Sequence, residues 1–238
     1  MPAAGELGRY LSRTEARDIA DRLAAGETIR QALVSITPER RNDAALLLRR
    51  ISDPARVEVL RGIEGARSTV RTLSPLWTLP GPLAEQGRLT TSIVENIDDA
   101  RSSVICSTYN FQRTSGLWDA LRRAAHRSAV HVKVYVDTRA ADTPSRADSP
   151  TTSEIARHLM PGLVYRTKRH DHKWVRNHAK FITVDHRFLI VTSANMSYSA
   201  ERDNVEFGLV VDNPILTETV ELQMRAVEDL LYEQVVVQ

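Results

Sequence analysis

The sequence lacks, or has little of, several features that would indicate which class of protein it encodes. Its 238 residues include a single cysteine, Cys106, which excludes an intramolecular disulfide framework and fits a reducing compartment. No stretch is long and apolar enough to cross a bilayer. Residues 1–14 mix polar and charged positions where a secretory signal would have a continuous apolar core. We therefore expect a cytoplasmic protein with no integral membrane association.

The chain also has little net charge and few histidines. The 32 basic residues are nearly balanced by 30 acidic ones, and the formal net charge of +2 points to no class of partner. With 42% hydrophobic and 26% charged residues, the chain can bury a substantial core in one or two domains. None of its seven histidines precedes position 126, so the first half of the chain offers no histidine chemistry.

A dense group of polar residues lies towards the C-terminal end of the chain. Six of them are spaced as candidates for one catalytic site: His178, Lys180, Asp185, Ser193, Asn195 and Glu206. They form an H-x-K-x4-D pattern, then S-x-N, then a carboxylate in an apolar run. Side chains two apart on a strand share a face, so each pair projects together. Bulky residues at 205, 207, 209 and 211 should share one face, which puts Glu206 on the opposite, active-site side.

These residue types are the parts that phosphodiester transfer needs. Neutral imidazole can attack phosphorus without a metal, and a cation with hydrogen-bond donors stabilises the nonbridging oxygens. The sequence therefore predicts that His178 attacks and that Lys180, Ser193 and Asn195 bind the phosphate. Glu206 should accept the far N–H of His178 and fix its tautomer. No cofactor is expected.

The segments HAKFITVD, SAN and NVEFG resemble the phospholipase D superfamily, the HKD-motif enzymes. The resemblance implies an α/β fold, a phospholipase D-like mixed β-sheet flanked by helices, and a phosphohistidine formed on His178. In that family the residue matching Asp185 positions the motif rather than binding phosphate directly. Thr192 departs from the pattern, because many members have glycine there.

The family chemistry also calls for a second histidine, which protonates the leaving group and later activates water. The chain has one such motif, since His131-Val132-Lys133 lacks a correctly spaced Asp and an S-x-N element. We therefore expect a two-fold homodimer that brings two copies of His178 face to face.

A basic segment immediately before the motif predicts an approach suited to polyanions. The candidate substrate-binding residues are Lys168, Arg169, Lys173, Trp174 and Arg176. A solvated loop rich in Lys and Arg is an equally simple interpretation. A zinc site built from His170, Asp171, His172 and His178 is a weaker alternative, because the surrounding loop is basic.

The domain organisation is predicted as an N-terminal helical region, residues 1–66, and a phospholipase D-like catalytic domain, residues 67–238. The short chain and basic loop favour the nuclease branch of the family and DNA as substrate. A lipid phosphodiesterase and a non-catalytic nucleic-acid-binding subunit stay open. Less specifically, the helical region joined to a single-motif domain resembles the phospholipase D-like component of DISARM anti-phage defence systems, which would make other defence proteins partners.

Overall fold

The computed structural model describes residues 2–67, 72–81, 83, 89–143 and 149–237. Its helices are α1 (Pro2–Tyr10), α2 (Arg13–Ala24), α3 (Ile29–Ala32), α4 (Arg41–Arg49), α5 (Asp53–Ala66), α6 (Leu89–Asp98), α7 (Gly116–Ala125), α8 (Thr138–Asp142), α9 (Thr152–Leu159), α10 (Tyr198–Arg202) and α11 (Pro214–Leu231). Its strands are β1 (Thr72–Thr78), β2 (Ser103–Thr108), β3 (His131–Val136), β4 (Leu163–Thr167), β5 (Arg169–His170), β6 (Lys173–Trp174), β7 (Phe181–Val184), β8 (Phe188–Thr192), β9 (Glu206–Asp212) and β10 (Tyr232–Gln234).

Eight strands form one mixed sheet in the order β1-β9-β8-β7-β2-β3-β4-β10. Strands β2, β3 and β4 run parallel, and the other neighbouring pairs run antiparallel. The ends of β1, β2, β3, β4 and β8 and the starts of β7 and β9 therefore share one edge, which we call the carboxyl edge. We call the other the amino edge. The predicted mixed β-sheet flanked by helices is confirmed.

The two faces of the sheet are covered unequally. Alternate residues of β2 and β3, such as Val104 and Val134, pack with α6, α7 and α9 in the largest hydrophobic cluster. On the other face α11 lies over β7, β8 and β9, where Val220 and Met224 contact a smaller cluster. Beyond α11, towards β1, this second face carries exposed apolar side chains, and Leu73 is 63% exposed.

Helices α1 to α5, which we call the leader (residues 2–67), enclose a hydrophobic cluster of their own. Helix α2 begins at a capping box in which Ser12 and Glu15 bond each other's backbone N–H. The leader contacts the amino edge. The Tyr10 hydroxyl lies 3.1 Å from His131 Nε2 at the start of β3, and the Arg67 guanidinium donates to the Asp185 carbonyl at 2.8 Å. Glu218 on α11 accepts from the Thr14 N–H at 2.8 Å.

Phe207 and Val205, which were expected to share one face, are 39% and 62% exposed, because no described helix covers the sheet there. Residues 144–148, which follow α8, lie outside the described ranges. None of the described helices is long and apolar enough to span a bilayer.

Candidate active site

The carboxyl edge gathers five of the six candidate catalytic residues. His178 and Lys180 precede β7, Ser193 and Asn195 follow β8, and Glu206 begins β9. The alternating directions of these three strands bring their ends together, because antiparallel neighbours return the chain to the same edge. The segment before β7 and the connection from β8 to β9 thus form one side of the site. The ends of β2 and β3 supply the other side.

Lys180 lies against His178. Its Nζ donates to the His178 carbonyl at 3.1 Å and is 3.4 Å from Nδ1 and 3.5 Å from Nε2 of the ring. His178 is exposed, whereas Lys180 is only half-exposed. Partial burial lowers the pKa of Lys180, and the Glu206 carboxylate opposes that shift. An accessible imidazole therefore has a fixed cation beside it, at the position where charge would develop on a phosphoryl group.

Ser193 and Glu206 are joined by a short hydrogen bond from the serine hydroxyl to Oε2. Asn204 Nδ2 donates to Oε1 of the same carboxylate at 3.0 Å. The Ser193 Oγ also accepts from the Phe207 N–H at 3.1 Å, which fixes the turn after β8 onto β9. The predicted bond from His178 to Glu206 is not among the contacts of the described residues. In this chain the carboxylate orients Ser193.

Asn195 is half-buried, like Lys180 and Glu206. It lines a small cavity together with Lys180, Thr108 and Thr192. Its Oδ1 is buried and has no hydrogen-bond partner in the described part of the chain. Buried amide groups are nearly always paired, so this side chain retains hydrogen-bonding capacity next to Lys180.

Sequence reasoning missed the residues that hold His178 from below. Asp137, fully buried at the end of β3, accepts from the Asn177 N–H at 2.8 Å and from Arg176 Nε at 3.0 Å. Arg176 Nη2 in turn donates to the Tyr109 hydroxyl at 2.8 Å. The Tyr109 ring lies 5.1 Å from the His178 ring, centroid to centroid.

The Asn177 side chain completes this support. It donates to Ser107 Oγ at 3.0 Å and to the Tyr135 carbonyl at 3.1 Å, and it is 2% exposed. A buried asparagine that joins β2 to β3 locks the chain immediately before the histidine. The only sequence signal was its polarity next to the motif, between buried strands.

Asp185 does not lie with the other five candidates. It lies at the amino edge, in the turn between β7 and β8, with all of β7 between it and Lys180. Its carboxylate accepts from the N–H groups of residues 101, 102 and 103 and from the Ser102 hydroxyl, at 2.8 to 3.1 Å. These bonds stabilise a positive φ of 54° and attach the β7–β8 turn to the start of β2.

The basic segment forms a hairpin, β5–β6, whose two turn residues, Asp171 and His172, have positive φ. It follows β4 and so emerges at the carboxyl edge. Lys173 and Trp174 are exposed, and Arg169 lies over the Trp174 ring at 5.9 Å. Lys168 is half-buried, because its Nζ donates to the Asp229 carbonyl at 2.7 Å. The hairpin thus presents Arg169, Lys173 and Trp174 outward, whereas Lys168 and Arg176 also serve internal contacts.

The alternative metal site is not assembled in the described residues. His170 Nε2 lies 3.5 Å from Asp171, but no group of three His, Cys, Asp or Glu side chains converges there or elsewhere in those ranges.

The fold and the clustered histidine, lysine and carboxylate define a phospholipase D-like α/β domain. A family model described as "Cardiolipin synthase, PLD-like domain" matches residues 93–227, which is more than half of the chain. The protein therefore belongs to the family of phospholipase D-like phosphodiesterases.

Solved structures share the fold. Nuc of Salmonella typhimurium, a phospholipase D family member, is 22% identical with a TM-score of 0.55, over 69% of this chain and 97% of Nuc. NucT of Helicobacter pylori is 16% identical with a TM-score of 0.51, over 67% and 98%. Phosphatidylserine synthase of Haemophilus influenzae is 14% identical with a TM-score of 0.51, over 78% of this chain and 48% of the synthase. The chain thus spans about half of the synthase. No curated protein matches significantly in sequence.

Proposed function

We propose that the protein is a metal-independent nuclease that cleaves DNA through a phosphohistidine on His178, in an active site completed by a second copy of the chain. The observation that carries this proposal is the accessible His178 ring with Lys180 Nζ within 3.5 Å of both ring nitrogens. The fixed cation can neutralise charge on the phosphoryl oxygens without a metal.

The proposed reaction has two displacements. A ring nitrogen of His178 attacks phosphorus and forms an N–P bond while one P–O ester bond breaks. The leaving alkoxide takes a proton from a second imidazole, which then removes a proton from water as that water attacks the phosphohistidine. The products are a phosphate monoester and an alcohol, and His178 is regenerated. Lys180 and Asn195 would bind the nonbridging oxygens throughout, and Ser193 would do so when its hydroxyl turns from Glu206 to the substrate.

The second imidazole is proposed to come from a second copy. The uncovered part of the sheet adjoins the site, and its exposed apolar residues include Leu73, Trp77, Val191 and Phe207. The Trp77 and Phe207 rings contact each other, with centroids 4.6 Å apart, directly beside Glu206. Contiguous apolar patches on a protein surface mark interaction sites. A two-fold contact through this face would bring two carboxyl edges together.

We favour nucleic acid as the substrate because of the β5–β6 hairpin. Arg169 and Lys173 add positive charge beside the site, and Trp174, 45% exposed, offers a ring on which a base can stack. A lipid would call for an apolar funnel at the same place. The assignments of residues 1–66 as a separate domain and of a role in anti-phage defence stay predictions.

The test is cleavage of single- and double-stranded DNA, RNA and phospholipid vesicles in EDTA by the intact protein and by His178→Ala. We expect DNA cleavage that survives EDTA and is lost in the variant. Protein incubated with 32P-labelled DNA and quenched in alkaline SDS should retain a base-stable label, released by later acid treatment, only when His178 is present. Metal-dependent cleavage would exclude the mechanism, and cleavage of vesicles in place of DNA would move the protein to the lipid branch.

The dimer has a separate test. Leu73→Arg combined with Trp77→Arg should give a folded monomer in light scattering that has lost cleavage. Val236→Arg is the matched control, because Val236 is 77% exposed at the far end of the sheet, and it should leave both properties unchanged. Full activity in a monomeric variant would refute the shared site.

A further inference from the structure

The leader carries an open groove of about 970 Å³ that plays no part in the proposed reaction. It runs between α3, with the turn that follows it, and α4, and the end of α2 closes one side. All of its lining residues belong to the leader. Because the leader contacts the amino edge of the sheet, a molecule bound in the groove would leave the carboxyl edge open.

The rim of the groove is positively charged. Four arginines line it, Arg22, Arg30, Arg41 and Arg49, against one acid, Glu27. Glu27 is already paired with Arg22 at 3.1 Å. The remaining three arginines have no acidic partner within the described ranges, and Arg41 donates to the carbonyls of Ile36 and Val34 instead.

This imbalance is local. Five leader arginines outside the groove are ion-paired: Arg17 with Asp18, Arg40 with Glu15, Arg50 with Glu6, Arg56 with Asp53, and Arg61 with Asp21 and Glu64. Arg9, Arg13 and Arg67 have no ion pair within the described ranges, but none of them lines the groove. The groove therefore concentrates uncompensated charge in a chain whose formal net charge is only +2. Guanidinium groups match carboxylates in a bidentate fashion.

The floor of the groove is apolar. Leu33 is 2% exposed and belongs to the leader's core, and Ile29 and Ala45 pack against that core. Val34, at the rim, is 52% exposed. A phosphate backbone would use the arginines but leave this floor uncovered, and a small anion would fill little of the volume.

We propose that the groove docks an acidic amphipathic helix of a partner protein. Apolar side chains at i, i+3, i+4 and i+7 would cover Ile29, Val34 and Ala45, and flanking Asp or Glu residues would pair with Arg30, Arg41 and Arg49. Apolar anchors surrounded by arginine pairs are the usual source of affinity in such contacts. The groove tethers the enzyme to its partner independently of catalysis.

The experiment selects a displayed library of 16-residue helical peptides on the intact protein, with counter-selection on the Arg30→Glu/Arg49→Glu variant. We expect the enriched peptides to combine the apolar spacing with acidic flanks. In fluorescence anisotropy, the best peptide should bind the double variant at least tenfold more weakly and Val34→Asp about fivefold more weakly. Arg9→Glu/Arg122→Glu changes the net charge equally outside the groove and should alter affinity less than threefold.

Circular dichroism and thermal unfolding check that each variant is folded. The proposal is overturned when no acidic amphipathic pattern is enriched, when a scrambled peptide of the same composition binds equally well, or when single-stranded DNA competes for the groove through Arg30 and Arg49. DNA cleavage by the Arg30→Glu/Arg49→Glu variant should equal that of the intact protein. Peptide binding does not require catalysis. The experiment therefore tests the docking groove even if the protein cleaves no DNA.

Discussion

The two edges of the sheet use the same residue types for opposite purposes. At the carboxyl edge His178 is exposed, and Asn195 keeps an unpartnered amide oxygen among the described residues. At the amino edge His186 is 3% exposed and lies between Glu221, at 2.6 Å from Nδ1, and Ser103, at 3.2 Å from Nε2. The edges differ in accessibility, because Glu221 Oε1 also lacks a partner among the described residues. A buried histidine held between two partners fixes a structure, whereas an exposed one can reach a substrate.

The largest expected contrast is between the two histidines. His178→Ala should reduce DNA cleavage by on the order of 10⁴-fold or more, because the nucleophile is lost, and should leave the unfolding midpoint unchanged. His186→Ala should lower the free energy of unfolding by roughly 2–4 kcal/mol, since it strands the buried Glu221 carboxylate, with little change in turnover per folded molecule. Cleavage assays and urea titrations measure the two effects. The reverse pattern would remove the distinction between the edges.

Acid should weaken the leader, which packs on the amino edge. Burial alone would raise the pKa of Glu15, but the Arg40 guanidinium, 2.6 Å away, outweighs it and lowers the pKa from 4.5 to about 2. Below pH 4.5 the unfolded state binds a proton that the folded state does not, so this stabilisation is fully present above pH 4.5 and is lost as pH falls to about 2. It amounts to about 3 kcal/mol.

The measurement compares unfolding of the intact protein and Glu15→Gln between pH 2 and pH 7. The difference in free energy of unfolding should be constant near neutrality and shrink through the window set by Glu15. A difference that does not depend on pH would show that the pair contributes nothing through the titration of Glu15.

The two carboxylates of the predicted site provide a smaller contrast. Asp185→Asn should destabilise the protein by roughly 1–3 kcal/mol, because an amide NH2 cannot accept from the donors that now converge on the carboxylate. Its kcat should change less than about twofold. Glu206→Gln should keep its unfolding midpoint and lose about 10- to 100-fold in kcat, as the orientation of Ser193 is lost. A catalytic defect in Asp185→Asn at full stability would return Asp185 to the site.

Much of the fold and part of the site follow from the sequence, because short-range alternation carries the information. Apolar residues two apart predict β2, β3, β7 and β8, and the turn at residues 185–187 predicts that β7 and β8 return to one edge. The same logic should have removed Asp185 from the catalytic set. It follows Lys180 by five residues of extended chain, or about 16 Å at ~3.3 Å per residue.

The remainder depends on contacts between distant parts of the chain. Asp137, after β3, bonds the two residues before His178, and Tyr109, after β2, contacts its ring. No short motif connects either residue to His178. Phe207 lies on the face of the sheet that its spacing predicts. Spacing alone does not show whether a helix covers that face.

The smallest expected effect concerns the support beneath His178. Tyr109→Phe keeps the ring that contacts His178 and removes only the hydroxyl that accepts from Arg176 at 2.8 Å. One partly exposed hydrogen bond contributes about 1 kcal/mol to stability, so the free energy of unfolding should fall by no more than that. The loss of support for His178 should lower kcat roughly three- to tenfold with the KM for DNA unchanged. Tyr109→Ala also removes the ring and should fall further in kcat. If Tyr109→Ala is as active as the intact protein, the Asp137–Arg176–Tyr109 chain does not position the histidine. If Tyr109→Phe raises KM alone, Tyr109 contacts substrate rather than His178. The residues that position His178 then extend only as far as Asn177.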